Sequence, residues 1–298
     1  MRIGRLKLIV LLLPMLAGCL RHTRVLQQPG PNIPVASPNV LQLVEMINRR
    51  YEQISSLTAT LEVAVTVRGT HPGEVTDYTS CPGYLLFRKP YKLRVLILVP
   101  VLHTHAVDLA SDGMGFTLLL PSRNLAIEGT NTVTTSADNP LENLRPNLFV
   151  DTIMIRDISS EQMVSVIHEV TSRRNVQTNQ VVELPEYDLT VFGEAPVASS
   201  PALAKIAKPE RVIHFRQFDL LPIGQDIYGT NGELETQVVY GADRDFDGVA
   251  FPSTIDINRP IDKYRIHLTI DKLTVNQPLV DEAFELKIPE GMQVQRTQ

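Results

Sequence analysis

The side chain whose chemistry is most clearly set by its neighbours is Cys19. Arg2, Arg5 and Lys7 form a basic start, Leu8 to Met15 an apolar run interrupted by Pro14, and Leu16-Ala17-Gly18-Cys19 follows at once. The run is too short to cross a bilayer and has the layout of a secretory signal. Leu-Ala-Gly-Cys has the form of a bacterial lipobox: small residues admit the signal peptidase and the Cys thiol receives a diacylglycerol. The mature chain is then expected to start at lipidated Cys19, against the alternative of an ordinary signal peptide or membrane anchor that merely contains a Cys. Losing residues 1–18 removes three basic groups and takes the net charge from −5 to −8. Of the two cysteines, Cys81 is left without an intrachain partner. In an oxidising envelope compartment such a thiol is either buried and inert or open to intermolecular chemistry. No His or basic residue adjoins it to lower its pKa, which favours the buried reading.

The remaining candidate motifs are weaker. Asp243-Arg244-Asp245-Phe246-Asp247-Gly248 resembles the start of a calcium loop, yet Thr254 stands where the twelfth-position Glu is needed and Pro252 falls inside the loop. Between two strand patterns it reads more simply as a hairpin turn. His103 and His105 would share one face of a strand, a spacing open to two metal ligands, but no third ligand has local spacing. His168-Glu169 lacks the second His of a zinc-protease helix, and no nucleophile elbow, P-loop or dinucleotide fingerprint occurs. Neither a metal, a cofactor nor catalysis is expected from these motifs.

The elements that would carry these groups follow from periodicity. Leu20 to Pro38, with Pro29, Pro31, Pro34 and Pro38, reads as an extended tether; at about 3.3 Å per residue it reaches roughly 60 Å. Ser37 offers an N-cap with Pro38 at the first helical position. Val40, Leu43, Val44, Ile47, Tyr51 and Ile54 then recur at helical spacing, an amphipathic helix that must cover an apolar surface. At Leu57 the period changes to two and continues through Ala59, Leu61, Val63, Val65 and Val67. Strand patterns separated by turn residues follow at Tyr84 to Arg88, Tyr91 to Val99, Thr104 to Ala110, Met114 to Leu120 and Leu125 to Glu128. After an irregular middle they resume at Met163 to Val170, Val181 to Phe192, Arg211 to Leu220, Leu234 to Tyr240, Val249 to Asn258 and Tyr264 to Val275. Gly193 to Pro209 reads as a loop or lid. Consecutive strands with short turns specify an antiparallel meander.

The expected organisation is a signal over 1–18, a tether over 19–38 and one domain over 39–298. That domain is mainly β (α+β), one large twisted antiparallel sheet with a few helices on one face. The 43% hydrophobic content supports such a core, and 28 Lys plus Arg against 33 Asp plus Glu give no basis for a nucleic-acid partner. Leu93, Val95, Ile97 and Val99 with Leu96 and Leu98 make one strand apolar on both faces, and Phe116, Leu118 and Leu120 lie two strands on. Such residues inside a curved sheet either pack a core or accommodate a lipid chain. Spacing alone leaves both open.

Four phrases occur in an order that resembles the outer-membrane lipoprotein carrier and receptor family of the LolA/LolB type. They are Ile54-Ser55-Ser56-Leu57-Thr58-Ala59, the strand pair from Gly83 to Arg94, Ser111-Asp112-Gly113-Met114-Gly115-Phe116 followed by Pro121, and Asp281 to Gly291 with Phe284 and Pro289 at its centre. The resemblance implies an unclosed half-barrel whose concave face is covered by helices and holds acyl chains of lipids or lipidated clients, without catalysis. It nominates Val63, Val65, Leu86, Val95, Ile97, Phe116 and Leu118 as cavity residues. Lys89 stands where the soluble carrier has an Arg that ties the lid helices closed, and Lys is the weaker bidentate donor. Lipidation at Cys19 favours a membrane-fixed receptor or lipid-binding protein over a shuttle, expected on the periplasmic face of the outer membrane because Leu20 lacks the Asp associated with inner-membrane retention. The alternative is a structural or sensor lipoprotein with a filled interior that offers the sheet to envelope proteins.

Overall fold

The computed structural model describes residues 37–68, 74–131, 140–174, 181–193 and 207–297. By its contacts the chain divides into a main unit, Val35–Glu169 with Glu186–Gln298, and a second that comprises Met1–Pro34 and Val170–Pro185. The cavity and side-chain clusters described below lie in the main unit. Helix α1 (Val40–Glu52) leads into β1 (Ser56–Arg68), β2 (Val75–Asp77), β3 (Cys81–Arg88), β4 (Lys92–Leu98), β5 (His105–Ser111), β6 (Gly115–Leu120) and β7 (Leu125–Thr130). A 3-10 turn, Pro140–Asn143, and helix α2 (Pro146–Ile153) precede β8 (Met163–Arg174), β9 (Val181–Phe192), β10 (Pro209–Arg216), β11 (Pro222–Tyr228) and β12 (Leu234–Tyr240). Then come β13 (Asp243–Phe246), β14 (Val249–Pro252), β15 (Thr254–Arg259), β16 (Tyr264–Val275), a 3-10 turn at Asp281–Phe284 and β17 (Gln293–Thr297).

Fifteen strands form one sheet in the order β17-β7-β6-β5-β4-β3-β1-β16-β15-β12-β11-β10-β9-β8, with β2 beside β1. The path ends at β17 and β8 without closing, so the architecture is the expected unclosed half-barrel. Its two meanders are joined by the long antiparallel pairing of β1 with β16, from Leu57↔Val275 to Val67↔Tyr264, with a bulge between Thr60 and Leu61. Such a bulge increases local twist. β17 departs from the antiparallel expectation: it runs parallel to β7 along the far edge.

The period of two sets the inner face. Leu57, Ala59, Leu61 and Val63 of β1 are buried, as are Leu85 and Phe87 of β3, Leu93, Val95 and Ile97 of β4, and Leu268 and Ile270 of β16. The two helices cover different parts of this face. α2 sends Leu148, Phe149, Val150 and Ile153 into the cluster that β1 and β3–β7 share with β12, β15 and β16. α1 instead packs Leu43 and Ile47 on Leu189, Val191, Ile213 and Phe215 of β9 and β10. Its N-cap is Asn39, two residues later than expected: Asn39 and Gln42 exchange side-chain to backbone hydrogen bonds, both 2.9 Å, in a capping box. Asn48 then fixes the helix to the chain beyond α2, donating to Ile158 O at 3.0 Å and accepting from Ile158 N at 2.7 Å.

β13 and β14 form the hairpin read from Asp243 to Gly248. Asp247 and Gly248 both take positive φ, 53° and 88°, as a tight turn of this kind requires, and Asp245 accepts from Gly248 N. His103 and His105 do not share a strand. His103 lies in the β4–β5 turn with φ 53°, and only His105 enters β5.

On the outer face, basic residues of β3 and β4 hold the chain before β17. Arg88 donates to Leu279 O and, with Lys92, to the Asp281 carboxylate; Arg94 donates to Ala283 O. Arg94 also grips the buried Asp108 carboxylate through Nε at 3.1 Å and Nη2 at 2.9 Å. The C-terminal phrase around Phe284 is thus a strap across the sheet, with Arg88 over the Phe284 ring.

Candidate functional site

A cavity of about 130 Å³ lies between the inner face and the segment that carries α2. Val63, Val65 and Val67 of β1, Cys81 of β3, Ile97 of β4, Ala106 and Val107 of β5, and Tyr264 and Ile266 of β16 form its walls; Leu144 and Phe149 roof it. The strand pairing explains this convergence. Val63 faces Cys81 on one side and Leu268 on the other, Ile97 faces Val107, and Val65 faces Ile266. Exposed Tyr78 and Thr79, between β2 and β3, stand at its rim. The turn joining β4 to β5 leaves the same end of those strands, with Val101 89% and Leu102 71% exposed. The volume is close to that of apolar cavities of about 150 Å³, which stay dry and admit a benzene-sized hydrocarbon. It is smaller than the roughly 300–1,000 Å³ pockets that enclose whole ligands.

The seven nominated residues separate into three groups. Val63, Val65 and Ile97 line the cavity. Val95, Phe116 and Leu118 lie on the same face but are packed into the core beside it. Leu86 is a correction. Its register partners are Thr58 and Arg94, so it sits on the outer face, and Leu85 and Phe87 point inward opposite Ala59 and Leu57. Tyr84-Leu85-Leu86-Phe87 is apolar at every position, so its parity is fixed only by the pairing with β1. Lys89 reaches α1: its ammonium stands 3.6 Å from the Tyr51 ring centroid and donates to the Tyr51 carbonyl. Burial there pulls its pKa down, against the opposing charges of Asp157 and Glu52. Cys19 lies outside the described residues.

Leu144, Phe149, Tyr264 and Cys81 were not nominated. Phe149 falls in a largely apolar part of the irregular middle, Asn147 to Ile155, but nothing local says which strands it covers. Cys81 is half-buried, and burial, with a smaller contribution from Glu62, raises its thiol pKa. It is therefore a thiol in an apolar wall whose ionisation is disfavoured, not an activated one.

A polar cluster on the other face was also missed. His214 of β10 stands directly opposite Asp188 of β9, with Nδ1 2.8 Å from Asp188 Oδ1, and Nε2 is 3.6 Å from Asp226 Oδ2. Burial lowers the His214 pKa, but hydrogen bonds and charge from Asp188 and Asp226 outweigh it and raise the value to about 9. The signal was available in Glu186-x-Asp188, two acidic residues at strand spacing.

These features define a class: an antiparallel half-barrel with an apolar inner face roofed by a short helical segment. No protein-family model matches the sequence, and no curated protein matches it. Among solved structures, a LolA superfamily protein from Nitrosomonas europaea aligns over 84% of this chain and 99% of its own, with 12% identity and a TM-score of 0.50. A Vibrio parahaemolyticus domain named for outer membrane lipoprotein sorting aligns over 83% of this chain and 97% of its own, with 12% identity and a TM-score of 0.48. The chain shares the fold of that LolA superfamily protein.

Proposed function

We propose that this chain is a cell-envelope lipoprotein, anchored through Cys19 on the periplasmic face of the outer membrane, that holds an acyl chain of a lipid or lipidated client in the half-barrel. The observation that carries the reading is the apolar cavity between β1, β3–β5, β16 and the α2 roof. The shared fold and the lipobox support it. Its present volume accepts the end of one chain, about six carbons on the benzene comparison. At about 0.8 kcal/mol per buried methylene that segment contributes roughly 5 kcal/mol before the costs of binding. Longer insertion requires the α2 segment to lift from the sheet. Lys89 against the last turn of α1 is the corresponding tie for the other helix. The function includes no catalytic step.

Native mass spectrometry of gently purified protein, with titration of a fluorescent fatty acid, tests this. Co-purified lipid or saturable uptake of the probe is expected. Absence of both sinks the carrier reading and favours a platform with a filled interior.

A further inference from the structure

Alternation along β9 and β10 sends Leu189, Val191, Ile213 and Phe215 toward α1. Glu186, Asp188 and His214 therefore point to the opposite face, away from the cavity. One donor atom from each of the three lies within 4.8 Å of the others. Glu186 is 3% exposed and Asp188 8%, unusual burial for carboxylates on the outer side of a sheet.

We propose that Glu186, Asp188 and His214 bind a divalent transition-metal cation, with zinc as the reference ion. An imidazole with two carboxylates is a donor set for zinc or a neighbouring metal, whereas calcium takes six to eight oxygens. In tetrahedral zinc sites, bonds of about 2.0–2.2 Å place ligand atoms about 3.4 Å apart, so small side-chain rotations from the present spacing suffice. The cation takes the place of the proton between His214 Nδ1 and Asp188. A metal-bound imidazole commonly donates its other N–H to a carboxylate, which fixes the ring. Asp226 stands at that position, 3.6 Å from Nε2. All four residues sit on paired strands, which hold ligands more firmly than loops do. Bound there, the metal staples β9 to β10 beneath α1, a structural role separate from the lipid cavity.

The full-length protein in detergent, stripped with chelator and dialysed, is titrated with zinc chloride by calorimetry at mildly alkaline pH. One equivalent is expected to bind and to raise Tm. His214→Gln and Glu186→Gln are expected to lose the site, and Asp226→Asn to weaken it about 10–100-fold, the effect typical of an outer partner. Unchanged binding in both ligand variants, or no zinc uptake by the wild type, overturns the proposal. Should a variant fail to fold, the wild type still decides: zinc must shift the His214 imidazole nitrogen resonances, and cobalt(II) must give visible d–d absorption that zinc abolishes. If His214 does not respond to zinc, the assignment is wrong.

Discussion

At the scale of single residues, neighbours in sequence can have opposite roles. Leu85 is 1% exposed on the inner face, and Leu86 is half-buried on the outer one. Leu85→Ala is expected to cost about 2–5 kcal/mol through lost contacts and the cavity left behind. Leu86→Ala should cost clearly less. Urea denaturation of the two variants checks this, and equal losses would mean that β3 is paired in the other register. The inward orientation of Val63 and Val65 was legible because polar or partly buried residues alternate with inward ones along β1, and that of Val95 and Ile97 because Arg94 marks the outer parity of β4. It failed at Leu86 because four consecutive apolar residues contain no parity. Asp281 gives a second test. Hydrogen bonds from Lys92 and Arg88 lower its pKa from 3.8 to about 2. A depressed carboxylate stabilises the native state fully above its unfolded pKa and loses that contribution as the pH falls through the folded value. The strap should therefore loosen between about pH 4 and pH 2. Carbon NMR of the Asp281 carboxyl measures the midpoint, and Arg88→Ala with Lys92→Ala should return it toward the ordinary aspartate value.

At the scale of elements, the meanders were legible because a period of two and short turns are local signals. The pairing of β1 with β16, the parallel addition of β17 and the division of labour between the helices were not. Each depends on contacts between residues far apart in the chain. α1 announced an apolar face at Leu43 and Ile47, but only the fold shows that this face belongs to β9 and β10, leaving α2 as the roof. Phe149 tests that assignment. It is 2% exposed within the core and touches the cavity. Phe149→Ala is expected to destabilise the protein by about 3–5 kcal/mol. The same change enlarges the cavity, so the variant should take up a longer alkyl chain than the wild type, read as a shift in preference across a series of fatty acids. A purely filled core would show the destabilisation with no change in uptake.

For the whole molecule, the proposed reading asks a membrane anchor and an acyl-chain cavity to coexist in one chain. No helix among the described residues is long and apolar enough to cross a bilayer. On the proposed reading acyl chains enter a cavity lined by residues from Val63 onward, whereas attachment would rest on Cys19, which lies outside the described residues. The two functions should therefore separate. Cys19→Ala is expected to move the protein from the membrane fraction to the soluble one. Cys81 would then be its only thiol, since the chain has two cysteines. Because Cys81 lines the cavity, a bound fatty acid should slow its reaction with a small apolar maleimide in that soluble variant as it does in the lipidated protein. A Cys19→Ala protein still held by membranes would place the anchor elsewhere. A soluble variant whose Cys81 reacts at the same rate with and without fatty acid would leave the anchor intact and remove the cavity from the function.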